Sequence, residues 1–163
     1  MQRFFYRHQP KSSLRSVFLA GVGAAIAIAI LAFASNSYNA MLMAPLGATC
    51  VLVFGFPASP FSQPANVVGG HLLSAALGLA MHFLLPGNLV MDGVVVGLAV
   101  SGMMLFRIVH PPAGATALLA YLTATNWIFL VFPVLTGSVV LVVLAFFYHL
   151  LLKSAYPNTL PKV

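Results

Sequence analysis

Long apolar runs, separated by short polar or proline-rich breaks, dominate the chain. Four runs are long enough to predict helices that span a bilayer: residues 17–34, 65–85, 93–109 and 127–152. Two shorter runs, 48–56 and 112–124, start beside proline and glycine and predict half-helices that stop inside the membrane. The pattern predicts an all-α, polytopic membrane protein with four spanning helices and two half-helices.

The two half-helices belong to an internal repeat. A shift of 67 residues places Pro45-Leu46-Gly47-Ala48-Thr49 on Pro112-Ala113-Gly114-Ala115-Thr116, and His82 on His149. Each half, about 17–85 and 86–152, then reads as spanning helix, half-helix, spanning helix. We expect one transmembrane domain of two repeats, with a basic segment (1–16) before it and a short tail (153–163) after it.

Composition and charge exclude other classes of protein. Only 5% of residues are charged and 61% are hydrophobic, which excludes a water-soluble domain. The net charge of +6 is concentrated in the first 16 residues with no later basic stripe, so we expect no nucleic-acid partner. Basic segments at both ends predict that both termini are cytoplasmic and that the protein lies in the inner (plasma) membrane.

The path of the half-helices leaves two topologies open. If both turn back, the chain crosses four times and the repeats are parallel. If each crosses together with its extended loop, the chain crosses six times and the repeats are inverted. The inverted arrangement places Arg107 inside and Asp92, as a cap on the next helix, outside, so the charges favour it.

Broken helices at equivalent positions of two repeats indicate a transport site. A helix that begins within the membrane presents unpaired N–H groups and the positive end of its dipole, and both attract anions. We expect an anion to bind near mid-membrane, with N–H donors around 47–49 and 114–116. The candidate binding residues are Pro45, Gly47, Ala48, Thr49, Asn66, His71, Arg107, His110, Pro112, Gly114, Ala115 and Thr116.

Several of these residues also have plain structural interpretations. His71 is consistent with an interfacial side chain, and Arg107 with a snorkelling topology anchor. His82 and His149 are interpreted mainly as caps or interfacial residues, with proton coupling as the alternative. We expect no enzyme activity, no catalytic residue, no metal and no cofactor, because the sequence lacks ligand spacing and a nucleophile with its base.

Small residues at four-residue spacing predict close helix packing on two faces. The faces are Gly70, Ser74 and Gly78, and Gly93, Gly97 and Ser101. Because so short a chain has little room to enclose a pathway, we also expect a homodimer.

Four segments resemble signatures of the HPP membrane proteins and occur in the family's order. They are 44–48, 57–66, Gly69-Gly70-His71, and the segment that begins with His110-Pro111-Pro112. The resemblance runs from about Val17 to Leu152 and implies a small integral membrane protein. Plastid and cyanobacterial members are linked to nitrite transport, which implies a transporter or channel for a small monovalent anion. The alternatives are a structural or assembly subunit of a membrane complex, and a pore for a small neutral solute.

Overall fold

The computed structural model describes residues 2–38, 42–85, 87–123 and 126–158, and within these ranges the chain is helical without strands. The helices are α1 (Gln2–Phe5), α2 (Leu14–Tyr38), α3 (Ala44–Gly55), α4 (Pro64–Leu84), α5 (Leu89–Leu105), α6 (Pro112–Thr123) and α7 (Thr136–Leu151). A 3-10 turn (Pro60–Ser62) precedes α4, and a wide helical segment (Leu130–Leu135) runs into α7.

Three stretches are long and apolar enough to cross a membrane: Leu14–Ser35, Pro64–Leu84 and Leu130–Leu151. Helix α5 has 17 residues, about 25 Å of helix. Helices α3 and α6 have 12 residues each, about 18 Å, which is shorter than a hydrocarbon core of about 30 Å. The all-helical membrane protein is confirmed, whereas the count of four spans plus two half-helices stays a prediction.

The ends of α5 differ from the sequence prediction. The helix begins at Leu89, not Gly93, because the Asn88 side chain accepts the N–H groups of Val90 and Met91 at 3.0 and 3.1 Å. Asn88 is therefore the cap, and Asp92 lies within the first turn. The helix ends at Leu105 rather than at residue 109, because Arg107 has a φ of 59° and turns the chain.

The boundaries of the other predicted elements also shift. Helix α3 begins at Ala44 rather than at residue 48. Pro45 lies in its first turn, where an N–H group would have no partner within the helix, so the missing N–H of proline costs no hydrogen bond. The last long run is interrupted at Phe132, whose φ of −127° and ψ of 119° are not helical, beside Pro133. The end of the 112–124 run falls on residue 124, outside the described residues.

The small face of α4 is a close-packing face, as predicted. A Cβ on Gly78 would collide with the Ala117 carbonyl of α6, and one on Gly70 would lie 2.8 Å from the Cβ of His110. Glycine at these two positions therefore lets α6 and the segment before it approach α4. The corresponding face of α5 (Gly93, Gly97 and Ser101) is exposed.

Packing crosses between the halves of the chain. Helix α2 packs on α3 and α5 packs on α6 within each half, while α4 packs on α6 and α7 packs on α3 between the halves. Each short helix is thus held by one helix of its own half and one of the other. This arrangement brings the starts of α3 and α6 towards α4.

Candidate functional site

Four polar side chains meet where α3, α4 and α6 approach one another. Thr49, His71, His110 and Thr116, here called the His–Thr cluster, are fully buried. Thr49 lies in α3, His71 in α4 and Thr116 in α6, and His110 lies two residues before α6. The structure therefore brings together the threonine of each repeated motif (45–49 and 112–116) and both histidines among the candidate binding residues.

His71 bridges the two short helices. Its Nε2 lies 2.9 Å from the Thr49 hydroxyl, and its Nδ1 lies 2.8 Å from the Thr116 hydroxyl. The Thr49 hydroxyl also lies 2.9 Å from Nε2 of His110. The two imidazole rings pack edge to face with their centroids 4.9 Å apart. The four side chains form one continuous hydrogen-bonded network.

Backbone carbonyls terminate this network. Nδ1 of His110 donates to the Phe61 carbonyl at 2.7 Å, and the Thr49 hydroxyl lies 3.2 Å from the Pro45 carbonyl in its own helix. Phe61 is not among the candidate binding residues predicted from the sequence. Its contribution is a main-chain oxygen, so the identity of its side chain carries no signal of it.

The Phe61 carbonyl fixes the direction of the hydrogen bonds when both imidazoles are neutral. Since a carbonyl only accepts, Nδ1 of His110 carries its proton and Nε2 accepts from the Thr49 hydroxyl. Thr49 then accepts from Nε2–H of His71, and Nδ1 of His71 accepts from the Thr116 hydroxyl. Every bond points from Thr116 towards Phe61.

The 3-10 turn that carries Phe61 is itself anchored. The Ser62 hydroxyl lies 3.1 Å from the Leu52 carbonyl and 2.7 Å from the Phe56 carbonyl. The phenol of Tyr156, in the segment after α7, donates to the Ser62 carbonyl at 3.0 Å. Burial raises the pKa of Tyr156 to about 12, so this phenol stays a donor at physiological pH. These bonds hold the Phe61 carbonyl at the cluster.

Asn66 positions His110 rather than joining the cluster. Its side-chain amide donates to the Val109 carbonyl at 2.9 Å and so ties the start of α4 to the residue before His110. Together with the close approach at Gly70, this bond fixes where the imidazole lies.

The remaining candidates lie outside the cluster. Gly47, Ala48, Ala115 and Arg107 are exposed, and Pro112 and Gly114 are half-buried. A Cβ on Gly47 or Gly114 would meet nothing within 4 Å. Pro45 is buried and contributes through its carbonyl.

Some of the N–H groups at the starts of α6 and α3 already have backbone acceptors. Pro112 has no N–H, and the N–H groups of Ala113 and Gly114 donate to the carbonyls of His110 and Pro111 at 2.9 and 3.2 Å. At the start of α3, the N–H of Leu46 donates to the Met43 carbonyl at 3.0 Å. The tight turns before the two helices thus pair some of these N–H groups, and the hydroxyl and imidazole groups of the cluster are further donors. The anion site at the two helix starts stays a prediction.

The charges around the site are few. Asp92 is the chain's single acid and lies in the first turn of α5, whereas His110 follows the end of that helix. Among the described residues, no three His, Cys, Asp or Glu side chains are grouped as metal ligands would be. The cluster is a set of neutral donors and acceptors inside an apolar molecule.

Comparison with known proteins places the chain in a membrane family. The family described as "HPP, transmembrane region" matches residues 9–157, so the chain belongs to this family. Two transmembrane proteins of Dictyostelium discoideum are 35% identical over 112 residues and 33% identical over 126 residues. These matches cover 64% and 72% of the chain but only 36% and 44% of the relatives, so the chain spans less than half of their length. No solved structure matches the chain.

Proposed function

We propose that this membrane protein is a transporter or channel for a small monovalent anion, with nitrite as the first candidate because the family resemblance implies it. The observation that carries the proposal is the fully buried His–Thr cluster, which joins α3, α4 and α6. Polar and ionisable side chains inside a membrane protein are costly and commonly mark a substrate pathway.

The donors of the cluster suit an anion better than a cation. Each imidazole has an N–H and each threonine has an O–H, while the single acid of the chain lies elsewhere. Thr49 is the sixth residue of α3 and Thr116 is the fifth residue of α6. The positive end of each helix dipole therefore lies within about two turns of a cluster hydroxyl. The anion would take over hydrogen bonds that the side chains now exchange among themselves.

Neutral donors also fit a site that must release its ligand. A buried side chain with a permanent positive charge would hold an anion tightly, whereas hydroxyls and imidazoles carry no permanent charge and can release it. Arg107 is exposed and lies before His110, where it would raise the local anion concentration rather than bind in the cluster.

Two other functions remain as alternatives. A structural or assembly subunit would use the cluster only to fix helix positions, and a neutral-solute pore would use the same hydroxyls. The exposed small face of α5 (Gly93, Gly97 and Ser101) supports the homodimer that we also propose. The cytoplasmic position of both termini and the plasma membrane location belong to the same proposal.

A flux screen with the purified full chain tests the function. Proteoliposomes would be assayed for uptake of nitrite, nitrate, formate, chloride and glycerol, with protein-free liposomes as background. We expect uptake of at least one of the anions and none of glycerol. Absence of any flux would favour the subunit, and glycerol uptake that does not respond to membrane potential would favour the neutral pore.

Matched threonine variants locate the pathway. Thr116→Val removes a hydroxyl from the cluster, while Thr123→Val removes an exposed hydroxyl from the same helix, which donates to the Leu119 carbonyl at 2.7 Å. We expect reduced anion uptake in Thr116→Val and normal uptake in Thr123→Val. Equal uptake in both variants would remove the cluster from the pathway.

A further inference from the structure

We propose that the His–Thr cluster binds one proton, at Nε2 of His110, together with the anion, so that anion and proton cross as an electroneutral pair. This inference rests on the proposed function and adds the co-transported ion. It is carried by the position of a single hydroxyl, that of Thr49, between two acceptors.

The Thr49 hydroxyl has one hydrogen and a choice of where to donate it. Nε2 of His110 lies at 2.9 Å and the Pro45 carbonyl at 3.2 Å from the same oxygen. The oxygen also has two lone pairs, so it can accept from two donors while it donates to one. A rotation about the C–O bond therefore changes the hydrogen-bonding role of Thr49 without moving any helix.

In the neutral arrangement, Thr49 donates to Nε2 of His110 and accepts from Nε2–H of His71. When a proton arrives, the lone pair of His110 Nε2 forms the new N–H bond and no covalent bond breaks within the protein. The Thr49 hydroxyl then turns its hydrogen to the Pro45 carbonyl and accepts from both imidazoles. All polar groups of the cluster keep a partner in both arrangements.

His110 is better placed than His71 to take the proton. The Phe61 carbonyl holds the other N–H of His110 at 2.7 Å in both arrangements. A proton on Nδ1 of His71 would force the Thr116 hydroxyl to accept instead of donate. Within the described residues, that hydroxyl has no second acceptor comparable to the Pro45 carbonyl, so His71 lacks the alternative that Thr49 gives His110.

The lack of a nearby acid couples the proton to the anion. The titratable side chains on the surrounding elements are Cys50 of α3, His71 and His82 of α4, Arg107, Tyr121 of α6 and Tyr156, and none of them is a carboxylate. The chain's single acid, Asp92, lies in the first turn of α5, at the opposite end of that helix from His110. A proton on buried His110 is thus an unpaired charge until an anion enters, and an anion is unpaired until the proton arrives. Each ligand therefore strengthens the binding of the other.

Membrane potential distinguishes a co-transported pair from a lone anion. Wild-type proteoliposomes would be held at 0 and −100 mV, with nitrite as the probe and protein-free liposomes subtracted because nitrous acid itself crosses bilayers. We expect the protein-dependent initial rate to change less than twofold, with one proton per nitrite reported by a dye inside. An anion that crosses alone would instead be opposed by a potential of −100 mV inside the vesicle, and its accumulation at equilibrium would be up to about 50-fold lower than at 0 mV.

The outcomes separate the two proposals. Nitrite uptake that follows the potential without proton movement would overturn the proton site and leave the proposed function standing. No uptake of nitrite or of the other screened anions would overturn both. Electroneutral uptake with one proton would support both.

A spectroscopic measurement tests the proton site without flux. ¹⁵N spectra of histidine-labelled protein should show His110 as the Nδ1–H tautomer and, on addition of sodium nitrite at pH 6, as the doubly protonated ring. Thr49→Ser keeps the hydroxyl and should keep this response, whereas Thr49→Val should reduce it at least fivefold. A wild-type His110 signal that does not change with nitrite would overturn the proton site.

Discussion

The two halves of the molecule carry different residues at one equivalent position, where the first half has His71 and the second has Ser138. His71 bonds Thr49 and Thr116 and so joins the two short helices. Ser138 is equally buried, but its hydroxyl turns back to the Val134 and Leu135 carbonyls of its own chain segment, at 2.8 and 3.1 Å. The site therefore draws residues from both halves, but its bridging histidine comes from the first half alone, where the second half has a serine.

The shift of 67 residues that aligns His71 with Ser138 also aligns His82 with His149, and these two histidines behave alike. Nδ1 of His82 lies 2.7 Å from the Tyr121 carbonyl near the end of α6, and Nε2 of His149 lies 2.7 Å from the Val53 carbonyl near the end of α3. Each histidine thus caps the short helix of the other half rather than its own helix. The matched histidines belong to the scaffold, whereas the unmatched His71 joins the matched threonines Thr49 and Thr116 into the site.

The largest effect is expected when the first half is made to resemble the second. His71→Ser removes both bonds that join α3 and α6, so we expect anion uptake to fall at least tenfold. We also expect the free energy of unfolding to fall by about 2–4 kcal/mol, since buried hydroxyls lose their partners. Uptake and thermal unfolding in detergent measure the two effects.

Ser138→Ala is the matched control for His71→Ser. Its hydroxyl donates to carbonyls of its own chain segment, those of Val134 and Leu135, so we expect normal uptake and a loss of at most about 1 kcal/mol. If Ser138→Ala reduces uptake as much as His71→Ser does, Ser138 also contributes to the pathway and the proposed difference between these two positions is wrong.

The scaffold histidines should differ by about a factor of two in their contribution to stability. Residue 57 is proline, so it offers no N–H to the Val53 carbonyl, and His149 is the donor that replaces it. His149 also accepts from the Ser154 hydroxyl at 2.6 Å. His149→Phe should therefore cost about 2 kcal/mol and His82→Phe about 1 kcal/mol of unfolding free energy, measured by thermal melts.

Uptake per folded molecule should stay close to normal in both scaffold variants. If His149→Phe abolished uptake at a temperature where the protein remains folded, His149 would belong to the pathway, and the division between scaffold and site would fail.

Sequence reasoning found the cluster residues because proline and glycine mark the broken helices, and because threonine and histidine are polar residues within or beside apolar runs. It failed where the folded structure decides which groups form hydrogen bonds and where a helix ends. Nothing local shows that the Phe61 carbonyl receives His110, or that the turns before α3 and α6 already pair the N–H groups of Leu46 and Gly114. Nor does the apolar pattern show where α5 ends, because the turn at Arg107 uses a backbone conformation that glycine usually supplies.

The two cluster threonines should contribute unequally to anion binding. Thr49→Val removes a hydroxyl that contacts both imidazoles, and Thr116→Val removes one that contacts His71 alone. We expect Thr116→Val to weaken nitrite binding by about 1 kcal/mol, or roughly fivefold, and Thr49→Val by somewhat more. Half-saturation concentrations from uptake measure this, and a larger effect at Thr116 would contradict the polarity assigned to the network.

The smallest effect concerns two cations in a backbone conformation that favours glycine. Arg107 and Lys153 follow α5 and α7 with φ values of 59° and 55°. Glycine at either position should relieve strain and raise the unfolding free energy by up to about 1 kcal/mol. The gain should be similar in Arg107→Gly and Lys153→Gly, because both residues occupy the same kind of helix end.

Anion uptake should distinguish Arg107→Gly from Lys153→Gly. Only Arg107 precedes His110, so only its loss should lower anion uptake. The reduction should vanish at high salt, where screening removes long-range attraction. If both variants keep normal uptake at low salt, Arg107 does not attract the anion, and its positive charge serves only to orient the chain in the membrane.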